Sequence, residues 1–147
     1  MTRCAISRTT QVAAISVVLI ACFGGRDRPF KQLIGTWDWA DKPGSCTDNP
    51  FVISFSDDRH FMTLTYRHAI DSHSFNTSVV RYEVRSHSPF MLRTAIVDPP
   101  ETRRSESGEL VAWDLVLTGR DEFRWHEVHW KPTAATKRLV RCSAAAR

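Results

Sequence analysis

Val79-Val80-Arg81-Tyr82-Glu83-Val84-Arg85 alternates its side chains one for one: Val80, Tyr82 and Val84 fall on one face, Arg81, Glu83 and Arg85 on the other. A period of two is the signature of a half-buried β-strand, because successive side chains leave a strand on opposite sides. Phe51-Val52-Ile53-Ser54-Phe55 repeats the pattern, with Phe51, Ile53 and Phe55 facing one way. Working outward from these two, eight β-type runs rich in aromatic and β-branched residues follow one another between residues 36 and 142: 36–40, 50–55, 60–66, 79–85, 90–97, 109–118, 122–130 and 137–142. No stretch between them has helical periodicity, apart from one turn at 29–34 that Gly35 ends.

The links choose among the all-β architectures. Those at 41–49, 67–78, 98–108 and 131–136 are long, and those at 56–59, 86–89 and 119–121 are short. In an up-and-down meander, alternate links lie at opposite ends, so the short ones close one end and the long ones surround a mouth. A Greek key places its long connections less regularly. The expectation is an eight-stranded antiparallel up-and-down barrel spanning 35–142, followed by a short tail at 143–147.

Leu33-Ile34-Gly35-Thr36-Trp37, at the start of the first run, resembles the Gly-x-Trp signature of lipocalins and related small ligand-binding barrels. The resemblance covers residues 30–142 in layout and a handful of residues in motif. It implies a lipocalin-like fold in which Trp37 plugs the closed end and an arginine of the last strand packs across it. Arg141 is the better candidate for that arginine and Arg138 the second; a guanidinium stacks well on an indole face.

The chain has 147 residues, 42% of them hydrophobic and 24% charged, which suits one globular domain and excludes wholesale disorder. Its formal charge of +4 depends on position. Residues 1–11 hold Arg3 and Arg8 and no acid, and Val12–Ala21 is an apolar run broken by Ser16 alone. Ten helical residues rise about 15 Å, half of a bilayer core of about 30 Å, so the run does not span a membrane. A basic segment followed by a short apolar one reads as a secretory signal at 1–21. Without it, 18 of the 20 lysines and arginines remain against 16 acids. No basic stretch interleaved with aromatics tracks a phosphate backbone, so nucleic acid is not an expected partner.

Leu19-Ile20-Ala21-Cys22 resembles the lipobox of bacterial lipoproteins. The resemblance implies thioether diacylation of Cys22, cleavage before it, and acylation of the new amine by a fatty acid such as palmitate. Two or three acyl chains anchor stably where one does not. Phe23 after the cysteine implies the outer membrane of the bacterial cell envelope, facing the periplasm. The other reading is an ordinary cleaved signal. Residues 22–34 are then a tether (Gly24–Arg28, GGRDR) and a short helical turn.

Cys4 leaves with the signal, so Cys46 and Cys142 remain, and an oxidising compartment suggests that they form one disulfide. In the meander Cys142 ends at the closed end and Cys46 lies in a mouth link. Residues 40–45 reach about 20 Å if extended, whereas a disulfide needs Cα atoms within about 7 Å, so a real bridge requires that loop to fold back down the wall.

By strand direction Trp39, Phe51, Tyr66, Ile96 and Trp113 fall toward the mouth, with Trp125 on the same inner surface. They read either as an apolar pocket or as side chains that fill a narrow barrel. In His126-Glu127-Val128-His129, histidines three apart on a strand face opposite ways and do not share an ion. Glu127 and His129 share the inner face and are candidates to orient a ligand's polar head or to pair with each other. Asp57-Asp58 suits a tight turn, and Arg103-Arg104 between Glu101 and Glu106 reads as a solvated loop. No nucleophile elbow, phosphate loop or zinc spacing is present. The expectation is a non-catalytic, cofactor-free lipoprotein whose barrel binds a hydrophobic or amphipathic small molecule. The alternative is a filled barrel acting as an inhibitor or assembly factor that grips a protein partner through loops 67–78 and 98–108.

Overall fold

A computed structural model describes residues 27–143, apart from residue 44 and residues 73–74. The signal segment, Cys22 and residues 144–147 lie outside the described residues. A short helix, α1 (Arg28–Leu33), precedes strands β1 (Gly35–Trp39), β2 (Phe51–Phe55), β3 (Phe61–Ser72), β4 (Phe75–Ser88), β5 (Met91–Asp98), β6 (Ala112–Leu117), β7 (Glu122–Glu127) and β8 (Leu139–Arg141). Each strand pairs antiparallel with the next, and β8 returns to β1, closing an eight-stranded up-and-down barrel. The alternation that marks the strands in the sequence sets the wall. Val80 stands opposite Leu64 and Tyr82 opposite Met62, so the apolar set of β4 meets that of β3 inside. One residue of slippage would turn every one of these outward.

The closed end is filled. Trp37 is fully buried, edge-on to Phe123 at 4.8 Å between ring centres, and its indole N–H donates to the Leu33 carbonyl at 2.7 Å. α1 lies across this end as a lid. Pro29 sits in its first turn, where the missing N–H costs no helical hydrogen bond. Leu33 is fully buried and Phe30 nearly so, Phe30 meeting Phe55 and His87 edge-on at 5.2 and 5.0 Å. Gln32 donates from its side chain to the carbonyls of Gly119 and Arg120 in the β6–β7 turn. One short helix thus ties together the three tight turns of that end.

Cys46 and Cys142 are disulfide-bonded, with Cα atoms 5.5 Å apart. The β1–β2 loop does fold back along the wall, and Asp38 draws it there. Asp38 points outward from β1 yet is fully buried. Its carboxylate accepts the Cys46 N–H at 2.9 Å and the Trp39 N–H at 2.8 Å, and Lys42 stands 3.4 Å away. A buried carboxylate requires such partners, since an unpaired one costs several kcal/mol, roughly.

Several sequence boundaries need correction. Residues 67–78 are not a long loop: β3 and β4 run on through them as an arm that projects beyond the mouth, Ile70 opposite Thr77 and Asp71 opposite Asn76. The register shifts between Thr65 and Ile70. Residues 67–69 are exposed, as are Asp71 and Asn76, so no half-buried face forces alternation there and the strand signal fades. The third link is accordingly short. The runs at 109–118, 122–130 and 137–142 shorten to Ala112–Leu117, Glu122–Glu127 and Leu139–Arg141.

Candidate functional site

The mouth end of the barrel is open. A cavity of about 320 Å³ lies there, bounded below by Tyr66, Tyr82 and Ile96, on one side by Trp113 and Trp125, and above by Trp39, Ile70, Arg103 and Thr136. Its walls come from the inward positions of six strands, β1 and β3 through β7, so the barrel closure itself holds the aromatics in place. Tyr82 stacks on Trp125 at 5.6 Å between ring centres, and Trp113 stands edge-on to Trp125 at 6.1 Å. Such a stacked and edge-to-face set is worth about 0.5–1.5 kcal/mol per pair beyond its burial, which holds the rings against one another.

Two phenols and one ion pair supply the polarity. The Tyr66 and Tyr82 hydroxyls have no hydrogen-bond partner among the described residues. Burial pushes both phenols well above the usual tyrosine range, helped at Tyr66 by the charge of Asp38 and at Tyr82 by Tyr66. Both therefore stay protonated and present O–H donors to the cavity. Arg103 grips Glu101 through two parallel bonds, Nε to Oε1 at 3.0 Å and Nη2 to Oε2 at 2.6 Å. The Glu101 side chain is buried and also accepts the Thr102 and Arg103 N–H groups. Burial alone would raise its carboxyl; the Arg103 hydrogen bonds outweigh that and hold it below the ordinary value. The Arg103 guanidinium lies 5.6 Å from the Trp113 ring centre, and the charge of Glu127 also acts on it. Arg103 thus faces two carboxylates, Glu101 and Glu127.

Of the residues singled out in the sequence, Trp39, Tyr66, Ile96, Trp113 and Trp125 line the cavity. Phe51 lies deeper, 2% exposed, its ring 5.0 Å from that of Tyr66, and it supports the floor. Glu127 closes β7 opposite Trp113 at the rim. His129 is beyond the strand, because the Trp130 N–H bonds to the Glu127 carbonyl at 2.9 Å and turns the chain away. It stands 3.5 Å from Glu109, not beside Glu127. The reading of 101–106 as a solvated loop is corrected at Glu101 and Arg103, which fold inward over the mouth. Their i, i+2 spacing around Thr102, which lets both side chains reach one side of an extended segment, was the available signal. Thr136 and Ile70 carry no sequence mark of their place.

Arg141 crosses the plug at the other end, its guanidinium 4.4 Å from the Trp37 ring centre. Arg138 turns outward to Asp41 and Glu122. Among the described residues no three His, Cys, Asp or Glu side chains group as a metal site. Comparison with protein-family models, with curated proteins and with solved structures finds no match to this chain.

Proposed function

We propose that the chain is a membrane-anchored lipoprotein, lipocalin-like in fold, whose barrel binds a hydrophobic or amphipathic small molecule without chemistry. The observation that carries the binding is the division of the interior. The half around Trp37 is packed, while the half above Tyr66 and Tyr82 leaves about 320 Å³ between fixed aromatic rings. That volume lies at the small end of ligand pockets, about 300–1,000 Å³, and its mostly apolar lining with a few convergent donors is their usual composition. The anchor rests on the lipobox at Leu19–Cys22, and the envelope location on the same residues.

The test is titration of the purified protein with N-phenyl-1-naphthylamine, an uncharged probe that fluoresces in apolar surroundings. Saturable enhancement with energy transfer from tryptophan is expected, and Ile96→Phe, which fills the cavity, should abolish it. Probe binding that Ile96→Phe leaves intact would overturn the reading. Tyr66→Phe and Tyr82→Phe remove hydroxyls that no described residue uses, so stability should change by less than about 0.5 kcal/mol. Mass measurement of the processed chain reads acylation at Cys22 separately.

A second reading, a module that binds a protein partner, is favoured by the β3–β4 arm. On the β3 side Pro50 and Asn49 hold the backbone of Arg67 and His68, but before Val79 the outer edge of β4 has no strand partner among the described residues, and an open edge accepts an added strand.

A further inference from the structure

We propose that the closed end of the barrel seats on the anionic headgroups of a phospholipid surface, through a basic groove between α1 and the β6–β7 turn. The orientation part of this inference rests on the anchoring at Cys22 proposed above; the attraction of the groove does not.

The groove encloses about 640 Å³ and is lined by Arg28, Lys31, Gln32, Arg120, Asp121 and Arg141. Its one acid is spoken for: Asp121 accepts from Arg141 Nε at 2.8 Å, and Arg141 is further held by the Ile34 and Gln32 carbonyls. Arg28, Lys31 and Arg120 have no carboxylate partner among the described residues. Three cations therefore face one concavity with nothing to neutralise them. On the other flank of α1, by contrast, Arg59 is paired with Asp27 at 2.6 Å, and Asp58 lies beside it.

The apolar neighbours of the groove match its charge. Phe90, 58% exposed, lies under the Arg28 guanidinium at 4.9 Å, and Ile34, 53% exposed, follows α1. Basic residues interleaved with exposed aromatic and aliphatic side chains are what an interfacial surface presents to lipid: the rings settle at headgroup level and the cations meet phosphate.

The length of the tether decides between a lipid surface and a free phosphate. Residues 23–27 alone separate Cys22 from α1. Even fully extended they reach less than about 20 Å, so an acylated Cys22 keeps α1 beside the headgroups. The ligand cavity, at the opposite end of the strands, then faces away from the membrane into the aqueous space.

The experiment uses the processed chain with vesicles of phosphatidylcholine alone, and of phosphatidylcholine and phosphatidylglycerol in equal parts. A photoreactive benzophenone residue replaces Phe90 at the closed end or, separately, Trp130 near the mouth. Lipid crosslinking is expected at position 90 and not at 130, in the anionic vesicles, and should fall at high salt. Each basic residue near an anionic surface strengthens binding roughly fivefold, so Arg28→Gln with Lys31→Gln and Arg120→Gln should weaken association roughly a hundredfold. Equal crosslinking at 90 and 130, or indifference to phosphatidylglycerol and to the triple variant, overturns the inference. Mass measurement of Cys22 separates the two proposals. If the cysteine carries no acyl group, anchoring fails, and flotation of the same chain with the two vesicle types still reads the groove.

Discussion

The guanidinium of Arg141 lies over the indole of Trp37, 4.4 Å from its centre, and joins the last strand to the first across the closed end. The same side chain reaches Asp121 in the β6–β7 turn and the Ile34 and Gln32 carbonyls at the end of α1. A planar fork that stacks on one face and donates along its edges does this; an ammonium does not. Gly35 makes room for it. Its φ of +135° lies in the region that favours glycine, and a Cβ there would run into Arg141 Nη1.

Arg141→Lys should therefore destabilise the barrel by about 2 kcal/mol, from the stacking and the charged hydrogen bonds lost together. Gly35→Ala should match or exceed it, and the double variant should cost less than the sum, because both disturb one contact. Urea unfolding followed by tryptophan fluorescence measures all three. Additive losses would show that Gly35 and Arg141 act separately.

The disulfide closes a loop of 96 residues around nearly the whole barrel. Constraining a chain of that span stabilises by about 4 kcal/mol through the unfolded state. Cys46→Ala with Cys142→Ala should lose about that much, and reduction of the unaltered protein should lower the urea midpoint equally. A midpoint that dithiothreitol leaves unmoved would mean that the bond contributes nothing.

Glu101 gives the mouth a pH dependence of known sign. Its carboxyl titrates below the ordinary glutamate value once folded, because the Arg103 bonds outweigh the effect of burial. The stability that this supplies is fully present above about pH 4.3, the ordinary value, and is lost as the pH falls through the folded one. Glu101→Gln should flatten that part of the acid-unfolding profile, lower stability at neutral pH, and leave the shape above pH 6 or so unchanged. An acid limb as steep in the variant as in the parent would remove Glu101 from the account.

Strand number, order and closure were readable in the sequence because the barrel wall is half buried, and burial imposes a period of two on β2, β4 and β5. The reading fails wherever that constraint lapses. Arg67, His68 and Asp71 on the arm are exposed, so they look like loop residues, and Ile70 alone is too little apolar pattern to mark a strand. At the end of β7 the alternation continues on paper through His129, while the turn that starts at Glu127 is set by a backbone hydrogen bond without a side-chain mark. Glu101 and Arg103 look like solvated charges because Arg103 lies beside Trp113 and Tyr82, residues distant in sequence, and holds Glu101 with it. The role of α1 as a lid was equally hidden, since six residues carry too little pattern to show three distant turns as their partners.

The ring of strands is not equally strong all the way round. β8 meets β7 through two residue pairs, Glu122 with Val140 and Phe123 with Leu139, and meets β1 through three pairs and the adjoining disulfide. Above that short seam, Trp125 and Thr136 clasp each other through a pair of hydrogen bonds of 3.0 and 2.9 Å, and both residues line the cavity. Mechanically the barrel is a sheet rolled up and buttoned along one line. The disulfide braces the β1 side of β8, so the wall beside Trp125 should open first. Faster amide exchange at Phe123 and Trp125 than at Asp38, which pairs with Val140 on the β1 side, is the expected mark; the reverse order would place the seam on the other side of β8.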